Sequence, residues 1–178
     1  SKIETRKVAI EKLKELAKDE AYKSNAEDII VSKLVKTEEF KNARTIALYK
    51  SMQYEFNTEK LIDICLKEEK AVCLPVVNNA EIRFYKINKE TGYTLNKFGI
   101  YEPVNEAEVL KDDINLVITP GVLFHISGCR LGFGGGFYDC FLQDYKGSTI
   151  ALTFKEMLTN DLWETDTFDI KVNKIITN

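Results

Sequence analysis

Arg130 and Asp139 bracket a run in which glycine is concentrated: Gly128, Gly132, Gly134, Gly135 and Gly136 fall within nine residues of the stretch PGVLFHISGCRLGFGGGFYDCFL, Pro120 to Leu142. Glycine lets main-chain N–H groups close around an anion, and a following helix start adds a favourable dipole. An arginine can fork onto phosphate oxygens, whereas an aspartate beside them is useful mainly when it reaches a metal ion. The segment therefore reads as a phosphate cradle, with a ligand-free tight turn as the competing reading. It is not a P-loop, because no lysine followed by serine or threonine comes after the glycines. It also lies too late in the chain for a first dinucleotide-binding unit.

The cradle needs a strand before it and a helix after it. Leu116-Val117-Ile118 supplies the buried-strand pattern, and Phe137 to Tyr145 the amphipathic segment. Upstream, Lys2 to Lys18 predicts an amphipathic helix through Ile3, Ile10, Leu13 and Leu16/Ala17. Ser24 to Glu27 has capping-box spacing and predicts a second helix start, and Thr37 caps a third. The period then changes. Thr45 to Tyr49, Ala71 to Val77 and Ile82 to Ile87 read as strands, with a helix over Thr58 to Lys67 making one βαβ unit. A turn-rich stretch, Thr91 to Asn105, follows. Thr149 to Phe154, a helical piece and Lys174 to Ile176 close the chain. The expected fold class is α/β, a three-layer α/β/α single domain with a mainly parallel sheet over residues 1–178. Ligands of such sheets bind at the carboxyl ends of the strands, so the loops after Tyr49, Val77 and Thr119 are expected to line one crevice.

Composition narrows the chemistry. The 178 residues suit one core, and 44% are hydrophobic. The 25 basic and 28 acidic residues are interspersed, giving a net charge of −3 without a basic stripe, so no nucleic acid partner is expected. Four cysteines without CxxC spacing and one histidine do not make an ordinary zinc set. No apolar run reaches signal or membrane-spanning length, and the expectation is a cytoplasmic protein without membrane contact, monomeric or a weak homodimer.

The block RLGFGGGFYD, Arg130 to Asp139, resembles the nucleotide segment of the 5-formyltetrahydrofolate cyclo-ligase family, and four other matches stand in the family's order. These are Lys2 and Arg6 four apart, Ser51-Met52-Gln53-Tyr54-Glu55, Phe98-Gly99-Ile100-Tyr101-Glu102-Pro103, and Phe168-Asp169-Ile170. The resemblance implies conversion of 5-formyltetrahydrofolate to 5,10-methenyltetrahydrofolate with ATP and Mg2+, releasing ADP and phosphate. The formyl oxygen attacks the γ-phosphate, and folate N10 then displaces phosphate from the activated carbon. An amide oxygen needs no prior deprotonation, so alignment and charge neutralisation suffice for the first step. A chain with a single histidine and no evident nucleophile–base pair suits that chemistry better than triad hydrolysis.

The resemblance further implies roles. Lys2, Arg6, Arg130, Leu131, Gly132, Phe133, Gly134, Gly135, Gly136, Phe137 and Tyr138 are expected at ATP, with Arg130 and Tyr138 catalytic. Asp139 and Asp169 are expected at Mg2+, and Lys50, Glu55, Phe98, Phe133 and Phe137 at the folate. Each has a plainer reading: a solvated basic helix face for Lys2 and Arg6, a dipole-stabilised first-turn acid for Asp139, a loop carboxylate for Asp169 and Glu55, and core packing for the phenylalanines. Phe133, Phe137, His125 and Asn173 depart from residues common in relatives, which bears on specificity and rate. Two other functions remain open at this level. One is a nucleotide or reduced-folate binding module without turnover, and the other a sugar-phosphate isomerase or CoA-transferase-like enzyme of related fold.

Overall fold

The computed structural model describes all 178 residues, Ser1 to Asn178. Helix α1 spans Lys2–Ala17, capped by Ser1, whose hydroxyl accepts from the Glu4 N–H. Helix α2 spans Glu20–Leu34 and begins earlier than the Ser24 capping box predicts. The Asp19 carboxylate takes the cap by accepting from the Tyr22 N–H at 3.1 Å, which leaves Ser24 inside the helix. An acidic cap one turn upstream lengthens the face that buries Ala26, Ile30, Val31 and Leu34. Helix α3, Glu38–Asn42, is capped by Thr37 as expected.

Strand β1 (Thr45–Ala47), helix α4 (Glu59–Lys67) and strand β2 (Ala71–Asn78) form the βαβ unit, with Ile46 opposite Val72 in parallel register. Strand β3 (Glu81–Ile87) pairs antiparallel with β2 across a two-residue turn, Asn79–Ala80. The loop after Val77 is thus a tight hairpin and lines no crevice, contrary to the sequence expectation. The stretch Thr91 to Asn105 is also more ordered than its turn residues suggest, because it folds into a ribbon of β4 (Gly92–Leu95) and β5 (Tyr101–Val104).

Strand β6 (Glu108–Val109) edges the sheet beside β3, and β7 (Leu116–Ile118) pairs parallel with β1. The glycine loop does not follow β7 directly. A short hairpin intervenes, β8 (Leu123–His125) and β9 (Arg130–Leu131), so Arg130 is a strand residue. Gly128 belongs to the turn of that hairpin, where its N–H donates to the His125 carbonyl. Helix α5 (Phe137–Leu142), β10 (Ser148–Leu152), a 3-10 turn at Lys155–Met157, β11 (Leu158–Thr159) and β12 (Lys174–Ile176) complete the chain.

The main sheet runs β12-β10-β7-β1-β2-β3-β6, and its first five strands are parallel. Side-chain alternation sends Ile46, Leu48, Val72, Leu74, Leu116 and Ile118 into one core of 29 buried residues beneath α1, α2 and α4. Ala47, Cys73 and Val117 point the other way, against Phe141 and Leu142 of α5. The three-layer α/β/α expectation holds, with one thick and one thin apolar layer.

Candidate active site

Strand β2 lies on one side of β1 and β7 on the other, so the winding direction reverses between them. Open parallel sheets bind ligands outside the carboxyl ends of their strands at such a reversal. The loops leaving β1 and β7 open there, carrying Glu55 and the route to the glycine loop.

One side of this reversal is charged. Arg130 is 7% exposed and its fork is already engaged: Nη1 donates to the Pro120 carbonyl at 2.9 Å and Nη2 to Asp139 Oδ1 at 3.1 Å. Its Nε is buried without a partner, as is the hydroxyl of Tyr138, whose ring lies under the guanidinium at 5.7 Å. Burial pushes the Tyr138 hydroxyl well above the usual phenol range, with the Arg130 charge opposing and Glu55 adding to the shift. Arg6 reaches over from α1 and donates through Nε to the Gly132 carbonyl at 2.7 Å. Lys2 Nζ lies 2.8 Å from both Asp166 Oδ2 and Asp169 Oδ2. Burial works against the Asp169 charge, but the Lys2 ammonium and the Asp166 N–H hold its carboxyl below the ordinary value.

The loop between these groups is shaped for a polyanion. No main-chain N–H from Gly132 to Asp139 has an acceptor within the protein. Gly134 has φ +106°, and a Cβ at Gly132 would stand 2.8 Å from Arg130 Nη1, so side chains there would strain the loop or push the arginine aside. Asp139 Oδ1 also accepts from the Ile170 N–H at 3.1 Å, which draws the Asp169 segment against α5.

The other side is built around the Glu55 loop and the aromatic tip of the ribbon. Glu55, 7% exposed, accepts from the Met52 N–H at 2.7 Å, and desolvation pushes its carboxyl up to about 7 despite that bond and the Lys23 charge. Its loop is stapled by buried Thr58, which donates to the Tyr49 carbonyl and accepts from the Ser51 N–H. Lys50 pairs with Glu59 at 2.8 Å and sits 4.5 Å over the Tyr93 ring of the ribbon. Phe98, at the ribbon tip, meets Phe137 edge-on with centroids 6.3 Å apart.

The unpartnered Arg130 Nε, Tyr138 hydroxyl and loop amides fit a ligand rich in acceptors. No group of three or more His, Cys, Asp or Glu side chains gathers to hold an ion. Asp139 and Asp169 alone fit Mg2+ arriving with phosphates, since that ion typically takes one or two carboxylates and completes its shell elsewhere.

Sequence reasoning placed Lys2, Arg6, Arg130, Gly132, Gly134, Asp139 and Asp169 together, and the structure brings them together. Leu131 is different: its side chain is 1% exposed and packs in the large core, so only its main chain borders the loop. Phe133 is exposed, and the Phe137 ring covers Gly135. His125 bonds Ser127 and the Asn160 carbonyl, and Asn173 exchanges hydrogen bonds with Thr149, so both departures serve local structure. Tyr49, whose carbonyl holds the Thr58 hydroxyl, and Asp166, which pairs with Lys2, were missed. The first reads only as the end of a strand, and the second is one of several acids in a polar stretch.

The family model described as the 5-formyltetrahydrofolate cyclo-ligase family matches residues 1–178. The chain is 33% identical to the 5-formyltetrahydrofolate cyclo-ligase of Haemophilus influenzae, over 83% of this chain and 85% of that one. It is 32% identical to a probable 5-formyltetrahydrofolate cyclo-ligase of Schizosaccharomyces pombe, over 83% and 81%. The solved structure of Aquifex aeolicus 5,10-methenyltetrahydrofolate synthetase superposes with a TM-score of 0.86 at 32% identity, covering 98% of this chain and 88% of that one. The chain belongs to the 5-formyltetrahydrofolate cyclo-ligase family.

Proposed function

We infer that the chain closes 5-formyltetrahydrofolate to 5,10-methenyltetrahydrofolate with consumption of ATP. The formyl oxygen forms a bond to the terminal phosphorus as the bond to ADP breaks. Folate N10 then adds to the formyl carbon, and phosphate leaves with the former formyl oxygen and takes up the proton that N10 gives up. The observation that carries this reading is the row of unsatisfied N–H groups from Gly132 to Asp139 beside buried Arg130. Such preorganised donors act where charge develops and need no general base.

Each residue has a physical part. The loop amides and Arg6 hold the phosphates, and Arg130 Nε and the Tyr138 hydroxyl face the transferring group. Lys2 lies beside Asp169, where it screens like charges. Glu55 accepts from the pterin N–H groups, and Phe98, Phe137 and Phe133 bound the ring. Asp139 and Asp169 would hold Mg2+, which supplies charge neutralisation across the phosphate oxygens. The ribbon and the Thr58-stapled loop keep water from the reacting carbon.

The test is growth of methenyl-folate absorbance when 5-formyltetrahydrofolate is added with ATP and Mg2+. Turnover should need all three and fall about a thousandfold in Arg130→Ala, as for loss of a preorganised charge-stabilising group. Absence of product at high protein concentration would refute the activity. Full turnover after chelation would refute the metal role alone.

A further inference from the structure

Glu102 is 8% exposed in β5 and touches none of the charged groups of the site. Its Oε2 accepts from the Val77 N–H at 2.7 Å and from Asn96 Nδ2 at 3.1 Å. The far end of that amide does equivalent work, because Asn96 Oδ1 accepts from the N–H groups of Phe98 at 2.9 Å and Ile100 at 3.0 Å. Two N–H donors face one end of the amide and a carboxylate the other, so only this orientation of Asn96 satisfies all partners. Main-chain bonds from Asn96 N–H to the Ile100 carbonyl and from Gly99 N–H to the Asn96 carbonyl close the turn, with Gly99 at φ +78°.

A continuous relay thus joins the end of β2 to the ribbon tip: Val77, Glu102, Asn96, then Phe98. The tip carries no apolar load that would justify the cost of burying a carboxylate. Phe98 itself is 47% exposed, and its one aromatic neighbour is Phe137, the residue after the glycine loop. We propose that Asn96 and Glu102 are positioning residues that aim the Phe98 ring at the folate half of the crevice through the Asn96–Ile100 turn. The inference rests on the folate reading of that half.

Steady-state kinetics against both substrates test it. Turnover by the wild type tests the folate reading itself, and its absence would remove the inference along with that reading. Given turnover, Asn96→Ala should raise the KM for 5-formyltetrahydrofolate about fivefold, the scale of one aromatic contact, with kcat and the KM for ATP within about twofold. Phe98→Ala should do the same, and the double variant should be no worse than Phe98→Ala alone. Asn96→Asp keeps the turn acceptor but sets a second carboxylate against Glu102. It should raise the folate KM about fivefold through like-charge repulsion, and Glu102→Gln should restore it. An unchanged folate KM, a parallel rise in both KM values, or additivity with Phe98→Ala would overturn the proposal. Should Asn96→Ala not fold, the Asn96→Asp and Glu102→Gln pair decides alone.

Discussion

Glu55 shows how one buried side chain ties pH to both stability and binding. Held at about 7 when folded and near 4.3 when unfolded, its carboxyl binds a proton more tightly in the native chain. The stability it contributes is complete below about pH 4.3 and is lost as pH rises through about 7. Glu55→Gln removes that dependence. Urea unfolding of both proteins at pH 4.5 and pH 8 should show the wild type losing about 3 kcal/mol more than the variant over that interval. Equal losses would mean that Glu55 is not desolvated as the structure has it. At neutral pH the same group is poised between forms, so pterin donors that favour the carboxylate should bind better at pH 8 than at pH 6.

At the scale of elements, the loop from Leu48 to Thr58 is pinned across its two ends by the buried Thr58 hydroxyl, beside bonds from the Met52 N–H to Glu55 and from the Asn57 N–H to Glu27. Thr58→Val deletes its bonds to Tyr49 and Ser51 at constant shape. It should cost about 1–2 kcal/mol in urea unfolding and raise the KM for folate while leaving that for ATP unchanged. A variant as stable as the wild type would show that the loop is held by other means. The elements themselves were legible to different degrees. Strands β1, β2, β7 and β10 stood out because burial on both faces writes a continuous apolar run. The β4–β5 ribbon was hidden: its exposure pattern is mostly open, and the bond that ties it to the sheet, from the Val77 N–H to Glu102, is remote in sequence. Helix α2 was misplaced by a few residues because Ser24 and Asp19 both offer caps, and the local pattern does not rank them. In the site, Arg130, Asp139 and the glycines were legible from spacing. The engagement of Arg130's fork by Pro120 and Asp139 was not, since the β8–β9 hairpin that turns it inward leaves no periodic signal.

Across the whole molecule, the charged half of the site is assembled from segments far apart in the sequence. Lys2 and Arg6 come from α1, while Asp166 and Asp169 come from the segment before β12. The Lys2–Asp169 pair is partly solvated, so its worth to folding is under about 1 kcal/mol. Lys2→Met should therefore melt close to the wild type without ligand. Its thermal shift on adding Mg2+ and ATP should be smaller, however, with the KM for ATP raised about tenfold. A large loss of intrinsic stability with an unchanged KM would reverse the assignment. No helix is long and apolar enough to cross a membrane.

The contact between Lys2 and Asp169 has a temporal corollary. A polypeptide emerging from the ribosome exposes its glycine turn before the acidic stretch that faces the first helix has left the tunnel. On the proposed assignment, anion capture therefore awaits the segment that carries Asp166 and Asp169, and a fragment that stops before it lacks the partners of Lys2.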